Sequence, residues 1–412
     1  MCSILRNPKR SLSTPLLYPS SSASESGSSS NGEVLEYNPL CLSTRFEIKD
    51  VKMLGGGSKS YKLLDVISGH VGAISCLALC GEFVLSASQG KDIIVRQQPD
   101  LKQFTKFGAG EGSVKALVTV GNKVFTAHQD SRIRVWKVSR RSENVFRLVD
   151  TLPTTKDYLG KCMKQSNYVQ IRRHHKKLWI EHADSISCLA VENGLIYSGS
   201  WDKTLKVWKL SDLRCLESIK AHDDAINGLI SRNGIVYSAS ADGKIKVWER
   251  ERSKNSSSNS SLHRLEGVLE GHKDVSMNAI VVSEEINENE RVYGGESDGY
   301  LMGWEKEKEG EWKLVVEVKA HQLAVLCLSF MGDILCSGSA DKSICLWRRE
   351  HLNDGLRGEL CKVGVIRGHE GPIKCLQSSS NCFGGGFMLY SGSLDKSLRV
   401  WWVSKDIKDE QV

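Results

Sequence analysis

The sequence predicts an all-β chain assembled from seven similar units, and three observations carry that prediction. First, one frame recurs. "IYSGSWDKTLKVW" (Asp202, Trp208) returns as "VFTAHQDSRIRVW" (Asp130, Trp136), "VYSASADGKIKVW" (Asp242, Trp248) and "VYGGESDGYLMGW" (Asp298, Trp304). It returns again as "LCSGSADKSICLW" (Asp341, Trp347) and "LYSGSLDKSLRVW" (Asp395, Trp401), and a worn copy, "VLSASQGKDIIVR", puts Gly90 and Arg96 in those places. Second, the runs on either side of the aspartate alternate between apolar and polar residues, the period of a half-buried strand. Third, the chain holds only 7 prolines, and its 37 glycines gather in short segments such as "SGS" and "ADG", which suits many short strands joined by tight turns. At 412 residues the chain exceeds what one core of ~250 to 300 residues serves. Repetition removes that difficulty, because each unit buries its apolar face against its neighbours.

Composition excludes several classes. Thirteen cysteines form no C-x-x-C pair and no zinc-type spacing with histidine, and no hydrophobic signal segment precedes them, so they read as reduced thiols of a cytosolic or nuclear protein. Cys76, Cys188, Cys327 and Cys375 share one repeat position and are expected in the innermost strand. No apolar run approaches the ~20 residues that a transmembrane helix needs.

Taken in chain order, residues 1–60 read as a disordered tail, since "SLSTPLLYPSSSASESGSSSNGE" is Ser-rich and carries little to bury. Its acid-poor start, with Arg6, Lys9 and Arg10, is also compatible with a plastid transit peptide, although it lacks an amphipathic arginine pattern. Residues 61–404 hold the repeats, and 405–412 form a short tail. Each unit opens with a loop histidine (His70, His182, His222, His272, His321, His369), with Gly110 in its place in the second unit. Two strand-like runs lie between that position and the aspartate, a third ends at the tryptophan, and a fourth follows it. After Trp402 no fourth run remains, so "YKLLDVISGH" is expected to supply it: residues 61–68 would pair with the last unit and close the ring. The longest insertion is read at 139–178, and with 251–264, 284–291, 350–362 and 378–387 it is assigned to the face opposite the histidine loops and Asp turns.

The recurring frame, "GH" followed by "SGSxDxxxxVW", resembles the WD40 repeat over residues 61 to about 404, and seven copies imply a seven-bladed β-propeller. "TLPTTKDYLGKCMKQSNYVQIRRHHKKLWIEHADSISCLA" and "HQLAVLCLSF", together with "SGSADKSICLWRRE", are similar to plant WD40 proteins of the JINGUBANG type. Most units end "VWK", "VWE" or "LWR" rather than Trp-Asp. The resemblance implies a chain of hydrogen bonds in each blade from aspartate through histidine and serine to the indole. Its members here are His182, Ser198, Asp202 and Trp208; His222, Ser238, Asp242 and Trp248; His272, Asp298 and Trp304; His321, Ser337, Asp341 and Trp347; and His369, Ser391, Asp395 and Trp401. Ser, His and Asp also spell a hydrolase triad. That reading fails, because a catalytic site is needed once while this set recurs, and the indole donor occupies the oxygen that a nucleophile must keep free.

No catalytic residue, cofactor or metal site is therefore expected. The resemblance points the residue before each aspartate at ligands, which singles out Trp201, Gln89, Gln129 and Leu394 as partner-binding candidates. Trp201 would be an interface anchor on a rigid turn; the alternative is a ring lying flat on a neighbouring blade. Arg172, Arg173, Lys176 and Lys177 belong to the 139–178 stretch, whose net charge of +7 equals that of the whole chain. It reads as a nuclear import signal or a site for an acidic protein segment, against a solvated loop. Nucleic acid is disfavoured, with little to stack on and no recognised binding module. The expected function is a monomeric, non-enzymatic scaffold for regulatory proteins in plant signalling or developmental control, in cytoplasm and nucleus. The alternative is the substrate-receptor subunit of a ubiquitin ligase, which expects an N-terminal F-box or a Trp-Asp-x-Arg blade ending, and none of the blade endings fits.

Overall fold

The alternating runs fold as strands, and a computed structural model describes them over residues 60–110, 112–139, 145–173, 175–251, 263–283, 290–307, 310–349, 360–379 and 385–405. All of these lie in the compact unit Asn38–Val412. The Ser-rich tail up to residue 59, the last residues 406–412, and most of the insertions at 251–264, 284–291, 350–362 and 378–387 lie outside the described residues.

Among the described residues the strands form seven four-stranded antiparallel sheets and one two-stranded hairpin. In the third blade the order from the axis outward is Ile186–Glu192, Leu195–Ser200, Thr204–Lys209 and Cys215–Lys220. Innermost strands of successive blades contact one another, and those of the seventh and first blades meet, so the blades close into a ring around a central channel. The chain is a seven-bladed β-propeller. Two hairpins show how the sequence sets the turns: Asn193-Gly194 and Asn233-Gly234 both hold positive φ (49° and 73°, 53° and 80°), the mirror-image turn that matches strand twist and that Asn-Gly favours.

The second strand of each blade is buried on both faces because it lies between two neighbouring blades; every residue of Leu195–Ser200 is buried. This explains "SGS", which is strand and not turn. A Cβ on Gly199 would sit 2.7 Å from Ile226 of the next blade and 2.6 Å from Cys188 Sγ, and one on Gly338 would meet Cys327 Sγ at 2.7 Å. A Cβ at either position would force its neighbours to move, and the other blades carry only small residues there, Ala87, Ala127, Ala239, Gly295 and Gly392.

The seventh blade is built from both ends of the repeat region. Ile373–Ser378, Gly386–Ser393 and Leu398–Ser404 are completed by Tyr61–Ile67, which pairs antiparallel with the last of them (Tyr61 opposite Val403, Ile67 opposite Leu398). The sheet edge is thereby covered.

One placement differs from the sequence reading. The stretch 139–178 is not a single insertion, because Phe146–Leu152 is the outermost strand of the second blade. The true insertion runs from there to Ile186, in the connection that carries His182, so the histidine loops are not of constant length. It holds one α-helix, α1 (Thr155–Cys162), a 3-10 turn (Gln165–Asn167) and the hairpin Tyr168–Arg172 with His175–Leu178. The insertion leaves Leu152 at the Asp-turn end of its blade and reaches Cys215, which pairs with Trp208 at the other end of the next. It therefore runs along the rim and does not build up the opposite face.

Candidate functional site

In the third blade His182 Nδ1 lies 3.0 Å from Asp202 Oδ2 and His182 Nε2 lies 2.8 Å from Ser198 Oγ, while Trp208 Nε1 donates to Ser198 Oγ at 2.9 Å. The carboxylate can only accept, so Nδ1 carries the proton and Nε2 accepts from the serine hydroxyl. The same chain joins His222, Asp242, Ser238 and Trp248 in the fourth blade and His321, Asp341, Ser337 and Trp347 in the sixth. It joins His369, Asp395, Ser391 and Trp401 in the seventh. Burial pushes the His182 imidazole below its ordinary range, against the pull of Asp202. Burial alone would raise Asp202, but hydrogen bonds from His182, Thr204 and the Ala183 amide outweigh it and hold the carboxyl well below normal. The residue after the aspartate turns left-handed, as in Lys203 (φ 72°) and Lys342 (φ 69°). Ser198, Ser238, Ser337 and Ser391 are fully buried and saturated by their partners, so these sets hold blades together and present no nucleophile.

The other three blades solve the same problem with different residues. In the fifth, His272 Nδ1 is 2.6 Å from Glu296 Oε2 and 3.5 Å from Asp298, so the expected His272–Asp298 pairing gives way to Glu296. Gly294 stands at the serine position and Glu296 two residues on, where five other blades have serine. Burial raises the Glu296 carboxyl above its usual range. Among the described residues, His272, Glu296 and Asp298 are the group whose donor atoms, all within 4.8 Å of one another, could share a metal ion; the short His272–Glu296 hydrogen bond occupies that space. In the second blade the Arg134 guanidinium fills the place of the missing histidine: a Cβ on Gly110 would lie 1.8 Å from Arg134 Nη2, and Arg134 pairs with Asp130. There Thr126 Oγ1 receives the Trp136 indole N–H at 3.0 Å and contacts His128 Nε2 at 2.7 Å. In the first blade Arg96 takes the tryptophan place and donates to the Ser68 and Leu101 carbonyls.

The channel is lined by a feature that sequence reasoning missed. In every blade the innermost strand slips register against the second strand, and the skipped residue is Ser75, Lys115, Ser187, Asn227, Asn278, Leu326 or Lys374. A bulge re-aims its side chain, and all seven of these line one cavity of about 380 Å³. Four of them tie blade to blade. Ser75 donates to Val114 O, Ser187 to Ile226 O, Asn227 to Met277 O and Asn278 to Val325 O. The signal was present as a polar residue before Cys76, Ala116, Cys188, Gly228, Ala279 and Cys375, but its type changes from blade to blade and the sixth blade has Leu326.

Gln89, Trp201 and Leu394 also line this cavity. Trp201 is 42% exposed at the channel mouth, and Lys115 Nζ of the neighbouring blade lies 5.3 Å from its ring centroid, a cation against the ring. Burial and then the neighbouring Lys374 push the Lys115 amine below its usual range. No carboxylate lines the cavity among the described residues. Gln129 does not itself line the cavity but accepts at 3.0 Å from Ser113 Oγ, which does. Val71 and Leu323, on the histidine loops of the first and sixth blades, are exposed, giving this face apolar points that were not foreseen. Arg173 and Lys176 are exposed on the rim insertion, Arg172 falls on its hairpin strand, and Lys177 Nζ donates to His182 O at 3.1 Å. These four do not join the channel-mouth set.

Four segments match the family described as WD domain, G-beta repeat: residues 174–209, 213–249, 312–348 and 360–401. They contain the four complete His-Ser-Asp-Trp chains; the substituted networks of the other three blades lie outside them. An F-box/WD-40 repeat-containing protein of Arabidopsis thaliana is 24% identical over 38% of this chain and 26% of its own length. Zinc finger CCCH domain-containing protein 59 of Arabidopsis thaliana is 26% identical over 27% of this chain and 18% of its own. WD repeat-containing protein pop2 of Schizosaccharomyces pombe is 25% identical over 39% of this chain and 18% of its own. The chain thus spans about a quarter or less of the length of these relatives. No described helix is long and apolar enough to cross a membrane. With its repeated hydrogen-bond chain, its closed ring and these matches, the chain is a seven-bladed β-propeller that carries WD40 repeats in four matched segments, a fold that typically serves as a protein-interaction scaffold.

Proposed function

We propose that the chain is a non-enzymatic adaptor that holds segments of regulatory proteins over its channel mouth. One observation carries this reading. A rigid, half-exposed Trp201, backed by Lys115 and accompanied by Leu394 and Gln89, surrounds a cavity whose charged lining residues are the cations Lys115 and Lys374. An aromatic anchor held by its surroundings is what interface hot spots use, and two unneutralised amines select for a carboxylate or similar anion on the partner. The similarity to plant WD40 proteins of the JINGUBANG type and the relatives from Arabidopsis support a role in plant signalling or developmental control. The reduced thiols support a cytoplasmic and nuclear setting, in which the basic residues Arg172, Arg173, Lys176 and Lys177 would aid import. Burial pushes Cys76, Cys188 and Cys327 up to about 12, which keeps them as inert thiols.

The F-box relative favours a second reading, the substrate receptor of a ubiquitin ligase. Both readings use the channel mouth and differ in what else binds. Proximity labelling in plant cells, with the chain and its Trp201→Ala variant compared, separates them: an adaptor labels regulatory proteins that the variant loses, and a receptor labels ligase subunits that the variant keeps. A label set that is the same for both proteins and holds no ligase subunit contradicts both.

A further inference from the structure

The rim insertion between the second and third blades is built inside out. Helix α1 turns Asp157, its buried residue, toward the propeller, where Oδ2 accepts from the Cys215 amide at 2.9 Å and Oδ1 from Lys161 Nζ at 2.6 Å. Its outward side carries Tyr158 and Leu159 (64% exposed), with Met163 (89%) just past the end. The hairpin adds Val169 (52%) and Ile171, both exposed on the strand Tyr168–Arg172, where a bulge at Ile171 interrupts the alternation of faces. Single exposed apolar residues mean little, but five between residues 158 and 171 are a cluster that no other described segment of that length matches.

The ground around it is basic. Residues 153–178 contain seven lysines and arginines and a single acid, Asp157. That acid is occupied by Lys161 and the Cys215 amide. The apolar side chains thus share one segment with the cations Lys156, Lys164, Arg173 and Lys176, and the one carboxylate within residues 153–178 is already paired.

From this combination we infer that the rim insertion is a second docking surface, separate from the channel mouth, for an acidic protein segment that carries apolar side chains. The apolar cluster supplies the area to be covered, and the unneutralised cations set the sign of what covers it. A nucleic acid would match the charge but leave Leu159, Met163, Val169 and Ile171 in water. A lipid surface would match both, but α1 has eight residues and is pinned to the third blade through Asp157, which is too short and too fixed to lay a broad apolar face into an interface.

The test is selection of displayed random peptides on the full chain, followed by affinities for the chain and three variants. Selected peptides are expected to be rich in Asp and Glu interleaved with Leu, Ile or Phe. They should bind about tenfold more weakly to Leu159→Ser/Met163→Ser and to Arg173→Gln/Lys176→Gln, and unchanged to Trp201→Ala. These residues are exposed, so melting should not move; where the double variant melts early, Met163→Ser alone takes its place. Selection of peptides without acidic enrichment, or affinities for both rim variants equal to that for the unmodified chain, overturns the inference. So does binding lost in Trp201→Ala alone, which returns the peptides to the channel mouth. Capture of phosphatidylserine-containing vesicles through the rim residues, with no peptide selected, overturns it in favour of a membrane surface.

Discussion

Lys115 places its ammonium 5.3 Å from the centre of the Trp201 ring, and the two residues come from different blades. The ring is on the Asp turn of the third blade, and the amine is on the bulged innermost strand of the second. The contact fixes the orientation of an exposed tryptophan and keeps a cation beside it in a cavity without carboxylates.

Neutralising that cavity should weaken anionic partners without touching the fold. Lys115→Gln/Lys374→Gln is expected to lower the affinity of a protein segment recovered on the channel mouth and to flatten its dependence on salt between low and moderate ionic strength. Thermal melting should stay the same or rise slightly, because two like charges are removed from one cavity. Unchanged affinity at both salt concentrations would show that the lysines do not face the partner.

The hydrogen-bond chain makes a prediction that differs between blades. Asp202→Ala leaves the buried His182 Nδ1–H without its carboxylate and is expected to cost ~1 to 3 kcal/mol in a denaturant titration. Asp298→Ala should cost less, since His272 keeps its 2.6 Å bond to Glu296. Equal losses in the two variants would contradict the assignment of Glu296.

Removing residues 61–67 strips the outermost strand from the seventh blade. The exposed edge of Leu398–Ser404 should then lower the melting temperature sharply and promote association, read by light scattering. A truncated protein that melts like the full chain and stays monomeric would contradict closure by this strand.

Acid should destabilise the propeller from the histidine range downward. Burial and then Arg134 bring His128 down to about 4, so its folded pKa lies below the unfolded value near 6.5. The native state then binds fewer protons: the stability is complete above pH ~6.5 and is lost as pH falls toward 4. His128→Asn should reduce the slope of unfolding free energy against pH in that window by at most about 1.4 kcal/mol per pH unit. A wild-type slope that the variant reproduces would mean that His128 is protonated in the folded protein.

What could be read from the residues was the repeated part. The frame from Ile196 to Trp208 announces strand, turn and strand, and its copies announce the ring. Three things escaped for physical reasons. Glu296 and Arg134 replace network members from positions that the repeat assigns to other residue types, so only the distances reveal them. The strand Phe146–Leu152 ("FRLVDTL") sits in a basic stretch and alternates weakly, which hid it inside an insertion and misplaced the helix that follows. The channel ladder of Ser75, Ser187, Asn227 and Asn278 depends on a bulge, and the residue that marks it changes type from blade to blade, so no repeated signature announces the slip in register.

The most direct test of the account is the affinity of a labelled segment from a partner, recovered by proximity labelling, for the wild-type chain and for Trp201→Ala, measured by calorimetry on proteins shown to melt alike. The account predicts a loss of about tenfold or more, as for an aromatic anchor at the centre of an interface. An affinity that Trp201→Ala leaves unchanged, for every segment recovered, would contradict the claim that partners dock over the channel mouth.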